Sequence, residues 1–419
     1  MTDQRHDWQQ VALGSVCRLQ GGFAFKSAAF TDRGIPIVRM SNMKEAGLDL
    51  SDAVCYPDEL LLGLERFLLE PGDLLLGLSG SIGFSAQVTE AHTPSLLNQR
   101  VGRFLVDESQ LSVDFLAQLV KSASFQKTLR MLASGGAPAN LSAKDVEGIL
   151  IDLPTLKEQR RIAEILASID QALVKTDAIL AQTQEVKQGT MDLLLQKGIG
   201  HESFRQTELG ELPASWQALP LKKVCKVNPG YRLNRGETYP YIEMAALDTT
   251  LPDIQYLLER EVKSPGGSRF KSGDVLFARI TPCTENGKIG LVQDLPSNYG
   301  VGSTEFIVLS PSPEQILPEF LYYTVRSERV RSYAMSRMGG TTGRQRVPSE
   351  VFKEELQIAL PPLDEQKRIG EILRGFDQKI AAEQRGRKGL QELKAGLSEL
   401  LLSGQTRVVP SDACLCESK

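Results

Sequence analysis

Residues 153–171 read LPTLKEQRRIAEILASIDQ, and residues 360–378 read LPPLDEQKRIGEILRGFDQ. The two stretches align without a gap at an offset of 207 residues, from 153 to 360, and the register carries Leu193, Leu194 and Leu195 onto Leu400, Leu401 and Leu402. That offset is close to half of the 419-residue chain, so one unit occurs twice, and two copies of a unit must bury equivalent faces in equivalent ways. In the first copy, Ile162, Leu166, Ile169, Leu173, Thr176, Leu180, Thr183, Lys187, Thr190 and Leu194 follow the alternating spacing of a coiled-coil seam. The spacing predicts a helix of about 60 Å, from roughly 40 residues at a rise of about 1.5 Å. Thr155 and Glu158 would form its capping box, and Gly198 and Gly200 its stop. The second copy keeps the seam at Ile369, Leu373, Phe376, Ile380, Leu390, Leu397 and Leu401, broken by Glu383, Arg387 and Lys394. A narrow apolar stripe on a lone helix needs a partner. The other copy supplies one, and a two-fold relation between the halves makes the pair antiparallel. The competing arrangement packs each helix on its own domain.

Outward from the helices the repeat weakens but persists. Trp8, Leu13, Val16 and Cys17 recur as Trp216, Leu221, Val224 and Cys225, and GDLLL at 72–76 recurs as GDVLF at 273–277. Pro36, Val38 and Met40 match Pro240, Ile242 and Met244, and Ile82-Gly83 matches Ile289-Gly290. Short apolar runs between Gly, Pro and Asp signals predict strands. A helical pattern follows from about Val113 to Leu132 and from about Pro318 to Met338, each leading to a glycine pair, Gly135-Gly136 and Gly339-Gly340. The expected fold is α+β: two mixed α/β domains, 1–152 and 200–359, separated by two long helices, 153–199 and 360–404, that form an antiparallel coiled coil with a pseudo-two-fold repeat. A short linker is expected at 197–212 and a disordered tail over 405–419.

Composition narrows the classes. No run of about 18 apolar residues occurs and MTDQRHDWQQ lacks the layout of a signal peptide, so a cytoplasmic protein without a membrane partner is expected. Cys17, Cys55, Cys225, Cys283, Cys414 and Cys416 have no zinc or disulfide spacing. The matched pair Cys17 and Cys225 reads as two small buried side chains. A net charge of −4 requires any nucleic-acid contact to rest on local patches. The richest is Arg326, Arg329, Arg331, Arg337, Arg344 and Arg346 against one acid, Glu328; the matching stretch of the first domain holds Lys121, Lys127 and Arg130 and no acid. A guanidinium fork grips a phosphate or the O6/N7 edge of guanine, so these nine residues are the DNA-binding candidates, against the alternative of a solvated helix face. Glu158, Gln159, Arg160 and Arg161, with Glu365, Gln366, Lys367 and Arg368, recur as charged helix starts and are the partner-docking candidates.

Catalytic look-alikes fail on their neighbours. NPGY at 228–231 has Gly230 where an amino-methyltransferase has its second proline, and no glycine-rich cofactor motif precedes it, so a turn at a domain entrance is expected. Glu365 and Lys367 mimic part of a nuclease site, yet Arg160 stands at the lysine position of the other copy. GLSGSIG at 77–83 and ENGKIG at 285–290 lack the ends of a phosphate loop and read as hairpin turns. His6, His92 and His201 stand in no metal or triad spacing. No catalytic, cofactor or metal residue is expected.

At this point the chain resembles the specificity subunit of type I restriction-modification enzymes over nearly its whole length. The carriers are the two Leu-Pro helix starts, GDVLFARITPCTENGKIGLV at 273–292, GSTEFIVLSP at 302–311 and TELGELPASW at 207–216. The resemblance implies a non-catalytic subunit whose two target-recognition domains each read half of a split site on double-stranded DNA. It also implies that the helical pair sets the spacing and docks methyltransferase subunits, two of them, and that motor-nuclease subunits bind that core. S-adenosylmethionine, ATP and Mg would then sit only on the partners. The first domain departs from the pattern with GDLLLGLSGSIG and SLLNQRV, which leaves its fold less defined. The rivals are a stand-alone DNA methyltransferase or nuclease, and a coiled-coil spacer without DNA binding.

Overall fold

The computed structural model describes residues 8–44, 47–80, 82–133, 140–263, 266–341 and 343–408; Gly135-Gly136, His6, Cys414 and Cys416 lie outside the described residues. The chain divides into two compact units, Met1–Lys175 with Arg387–Lys419, and Thr176–Gly386. Its helices are α1 Val113–Lys121, α2 Ala123–Ala133, α3 Ala143–Glu147, α4 Leu156–Lys197, α5 Pro318–Arg326, α6 Glu328–Ser336 and α7 Leu363–Leu402. Among the described residues no helix is long and apolar enough to cross a membrane.

In the first unit a four-stranded sheet runs Cys17–Gly21, Val101–Val106, Leu74–Gly77, Ser85–Gln87, and a second runs Cys55–Tyr56, Ile35–Val38, Ser95–Leu97, Leu68–Leu69. The second unit repeats both orders: Cys225–Val227, Phe306–Pro311, Val275–Ala278, Ile289–Leu291, and Leu258–Glu261, Thr238–Ile242, Gly300–Gly302, Ser268–Phe270. Even the parallel strand pairing recurs, Ile37 beside Leu96 and Tyr241 beside Val301. The departure of the first domain's strings from the pattern therefore leaves its topology unchanged. A short antiparallel pair closes each domain onto its long helix, Gln9–Ala12 with Leu150–Leu153 and Gln217–Pro220 with Gln357–Leu360.

Each single helix expected before the glycine pairs is two. α1 ends and α2 begins at Ser122, whose Oγ accepts from the Phe125 amide, and Ser327 does the same for α6 through the Val330 amide. A serine in extended backbone both stops one helix and caps the next. The expected linker also folds, as a hairpin of Phe204–Thr207 against Gly210–Pro213. Of the tail expected over 405–419, Val408 packs on the core of the first unit, and residues 409–419 lie outside the described residues.

The question of what the long helices pack against has a joint answer. In the first unit Ile162, Ala163 and Leu166 of α4 share a core with Leu13, Phe115 and Leu116 of the domain and with Leu401 and Leu402 of α7. In the second unit Met191 and Leu194 of α4 join Ile369 and Leu373 of α7 on Trp216, Phe320 and Leu321. Helix meets helix and domain at once, which explains how so narrow a stripe suffices.

Candidate nucleic-acid interface and helix crossings

The direction of the helical pairing follows from its polar contacts. In the first unit Asp170 accepts from Lys394 at 2.5 Å and Glu158 accepts from Arg407, just past the end of α7, at 2.7 and 3.0 Å, so partners of earlier α4 residues lie later in the chain. In the second unit Lys187 donates to Asp377 and the Ile199 amide donates to Glu365 at 2.9 Å, again antiparallel. Asp170 and Asp377, and likewise Lys187 and Lys394, stand at equivalent repeat positions. Each copy thus lends an acid to one crossing and a lysine to the other. The Lys187–Asp377 pair is buried at 7% and 1% exposure, and Tyr323 donates to the same carboxylate at 2.6 Å. Burial pushes the Lys187 ammonium below its ordinary range, opposed by the Asp377 carboxylate.

The repeated Glu-Gln pair at the helix starts was expected on a docking surface, and the structure corrects this for four of the eight residues. Gln159 accepts from the Ser112 amide at 2.8 Å and donates to the Gln110 and Pro154 carbonyls; Gln366 does the same with Leu317, Gln315 and Pro361. Both glutamines hold the residue that precedes the first helix of their domain's helical pair. Glu365 accepts from the Trp216 indole at 2.9 Å, from the Ile199 amide at 2.9 Å and contacts His201 at 2.8 Å. Glu158 takes the Trp8 indole at 3.2 Å together with Arg407. Its amide does bond Thr155 Oγ1 at 3.4 Å, so one arm of the expected capping box forms while the carboxylate is drawn away to Trp8. Arg160, Arg161, Lys367 and Arg368 remain exposed. Sequence reading missed Trp8, Trp216, His201 and Arg407 as latch residues, although both tryptophans were visible in the repeat.

Along α4 a second stripe, Ile179, Val186 and Leu193 at intervals of seven, is exposed, and α7 exposes Leu393 and Leu400 at the positions equivalent to Val186 and Leu193. Gly189 and Gly396, also equivalent, lie on these faces with nothing within 4 Å of an added Cβ.

Most of the arginine cluster is bonded within the chain, although Arg329, Arg337, Arg344 and Arg346 are exposed and Arg326 and Arg331 only half-buried. Arg326 donates to the carbonyls of Gly287, at 3.2 Å, and Thr249, and Arg331 to that of Glu285 at 2.8 Å, bracing the turn between two strands. Arg329 donates to the Gln357 carbonyl at 3.3 Å, and Arg337 pairs with Glu355 at 3.0 Å. Arg346 grips Glu305 through Nε and Nη2, and the carboxyl is held below its ordinary range by that hydrogen bond. These partners are carbonyls or distant acids, which a count of local charges does not see. Arg344 is exposed and its side chain has no hydrogen bond or ion pair to a described residue; the same holds for Lys121, Lys127 and Arg130 on α1 and α2.

The look-alike motifs have structural accounts. Asn228 of NPGY sits in the left-handed region at φ 51° and bonds both ways with Val308, at 2.7 and 2.9 Å, which makes it a turn locked to a strand. GLSGSIG at 77–83, of which Ser81 lies outside the described residues, falls between the antiparallel strands Leu74–Gly77 and Ser85–Gln87, and ENGKIG at 285–290 runs into the second of the antiparallel strands Val275–Ala278 and Ile289–Leu291. Cys17 and Cys225 are buried, and burial pushes the Cys17 thiol up to about 12. Among the described residues no group of three or more His, Cys, Asp or Glu side chains is placed to hold a metal.

A family model described as the type I restriction modification DNA specificity domain matches this chain twice, over residues 5–184 and 213–392. The MjaVIII specificity subunit of Methanocaldococcus jannaschii is 28% identical over 291 residues, 67% of this chain and 67% of that protein. The EcoKI specificity subunit of Escherichia coli is 23% identical over 89% of this chain and 82% of its own length. In fold, the S subunit of a type I restriction-modification system from M. genitalium superposes with a TM-score of 0.58 at 15% identity, covering 96% of this chain and 98% of that one.

Proposed function

The chain belongs to the type I restriction-modification DNA specificity family, and from that premise we propose that it selects the DNA sequence on which partner subunits act, each domain reading one half of a split double-stranded site. The observation that carries this reading is the recurrence of one strand order in two units whose interiors differ in sequence: one scaffold, two readers. The chain is non-catalytic. Methyltransferase and restriction subunits are its partners, and S-adenosylmethionine, ATP and Mg are theirs to bind. α4 and α7 hold the spacing of the half-sites, and the exposed stripe on each suits one methyltransferase helix per copy, hence two methyltransferase subunits. Arg160, Arg161, Lys367 and Arg368 would border that contact, while Lys121, Lys127, Arg130 and Arg344 are the cations free to reach DNA. The assembly works in the cytoplasm.

The test is domain exchange. Replacing residues 1–152 with the equivalent domain of another family member should change one half of the methylated site, read by methylome sequencing, and leave the other half intact. If both halves change, the domains do not read independently. Methyl transfer by the purified chain alone would favour the stand-alone methyltransferase. Affinity for DNA that does not fall with salt would favour the spacer.

A further inference from the structure

After α6 the chain makes a tight antiparallel turn, with Gly339 and Arg346 exchanging backbone hydrogen bonds at 3.0 and 2.9 Å. Its root is rigid. Arg346 also bridges Ile280, the Thr281 amide bonds the Gln345 carbonyl at 3.0 Å, and the Val347 amide bonds the Arg279 carbonyl at 2.8 Å above a fully buried Val347 side chain. The Arg346 guanidinium then clamps the root to Glu305. Gly340 at φ 125° is required by the turn, since a Cβ there would meet the Arg344 carbonyl at 3.0 Å. Above this root Thr341, Arg344 and Gln345 are exposed, and none of the three side chains bonds a described residue.

The first unit builds the same root. Ser79 bridges Asn140, and the Leu141 amide bonds the Leu78 carbonyl at 2.9 Å, as Val347 does with Arg279. The sequence between differs in kind: Gly-Ala-Pro-Ala at 136–139 against Thr-Thr-Gly-Arg-Gln at 341–345. A constant root joined to a stretch of sequence that changes character between two readers is what a specificity element requires. Arginine and glutamine are also the two side chains that pair bidentately with guanine O6/N7 and adenine N6/N7.

We propose that the turn closed by Gly339 and Arg346 is a base-reading element of the second domain, with Arg344 and Gln345 its specificity-determining side chains and Arg346–Glu305 the positioning pair that aims them. This rests on the reading of the chain as a DNA specificity subunit. Arg346, expected from sequence to touch DNA itself, acts through the turn instead.

The experiment uses the full chain assembled with its methyltransferase subunits, reads the methylated site by methylome sequencing and measures the affinity of the assembly for matched and mismatched duplexes. Arg344→Ala and Gln345→Ala should each relax one position of the half-site assigned to the second domain, with discrimination falling roughly five- to 150-fold. Gln345→Glu should move its position from adenine toward cytosine, because a carboxylate accepts from cytosine N4. Glu305→Ala should blur both positions at once and Glu305→Gln, which keeps one acceptor, should blur them less, with the unfolding temperature unchanged in both. An unchanged site in both alanine variants overturns the proposal. So does relaxation in the first domain's half-site, or a uniform weakening on all sequences with a shallower salt slope, which marks a phosphate contact. An unaltered assembly that methylates no split site would instead sink the specificity reading itself.

Discussion

The two helix crossings use the same pair of residues in opposite settings. Lys187–Asp377 in the second unit is sealed, with the Lys187 ammonium also reaching the Thr250 carbonyl at 3.4 Å and Tyr323 closing the acid. Lys394–Asp170 in the first unit is 24% and 33% exposed, and Gln118 stands where the tyrosine would be, bonding Asp170 at 3.1 Å. One repeat position therefore serves as a buried charge in one unit and a half-solvated one in the other. The repeat thus keeps position and chemistry, while each domain sets the energetic weight through what it lays over the pair.

That contrast predicts the largest effect. Asp377→Ala should destabilise the second unit by about 3–5 kcal/mol, because it strands a buried ammonium and a buried phenol. Asp170→Ala should cost the first unit about 0–1 kcal/mol, since water can take over Lys394. The chain carries its own reporters, because its two tryptophans fall one in each unit. Urea unfolding followed through Trp216 in a Trp8→Phe background, and through Trp8 in a Trp216→Phe background, separates the two costs. Equal losses would mean that burial is not what weights the pair.

The tryptophan latches differ between the units in the same way, with smaller stakes. Glu365→Ala orphans the indole of Trp216, which is 1% exposed, and the Ile199 amide, and should cost about 2–3 kcal/mol. Glu158→Ala releases a half-buried Trp8 and an Arg407 that can turn to solvent, and should cost about 1 kcal/mol. Tryptophan emission in the folded state gives an independent readout: the Trp216 indole should shift less toward the red than Trp8, because water reaches it less easily. The reverse order would mean that Glu365 is held by the helix start and not by its indole.

How much of this was legible depends on whether a feature repeats. The helices repeat at an offset of 207 residues and the entrance tryptophans at 208, so two weak signals reinforce each other and the antiparallel pairing follows. The serine breaks at Ser122 and Ser327 also repeat, yet an amphipathic stripe continues across them and masks the interruption. The site was harder. Composition found the arginines but not their partners, because Glu305 lies 41 residues from Arg346 and the acceptors of Arg326 and Arg331 are backbone carbonyls without a sequence signature. The repetition of the Glu-Gln pair reads in sequence as a sign of a shared docking surface, whereas it means that each domain is bracketed to the long helices in the same way.

The two roots give the finest test of the comparison, since the second unit's root carries an ion pair and the first unit's root closes through Asn140. The hydrogen bond from Arg346 lowers the Glu305 carboxyl below its ordinary 4.5. A depressed carboxyl contributes stability that is fully present above the unfolded value and is lost as pH falls through the folded one. The clamp should therefore be unaffected at neutral pH and should loosen only in acid, below about the ordinary glutamate range. Hydrogen exchange at the Gly339 and Arg346 amides, corrected for the intrinsic pH dependence of exchange, should lose protection there, while the Leu141 amide keeps its own. The change should be small, because both partners of the clamp are part exposed and water screens them. Glu305→Gln should abolish the acid step, leaving the second root as insensitive to pH as the first. A step that survives the substitution would trace the loosening to another carboxylate and leave Arg346 held by its backbone bridges alone.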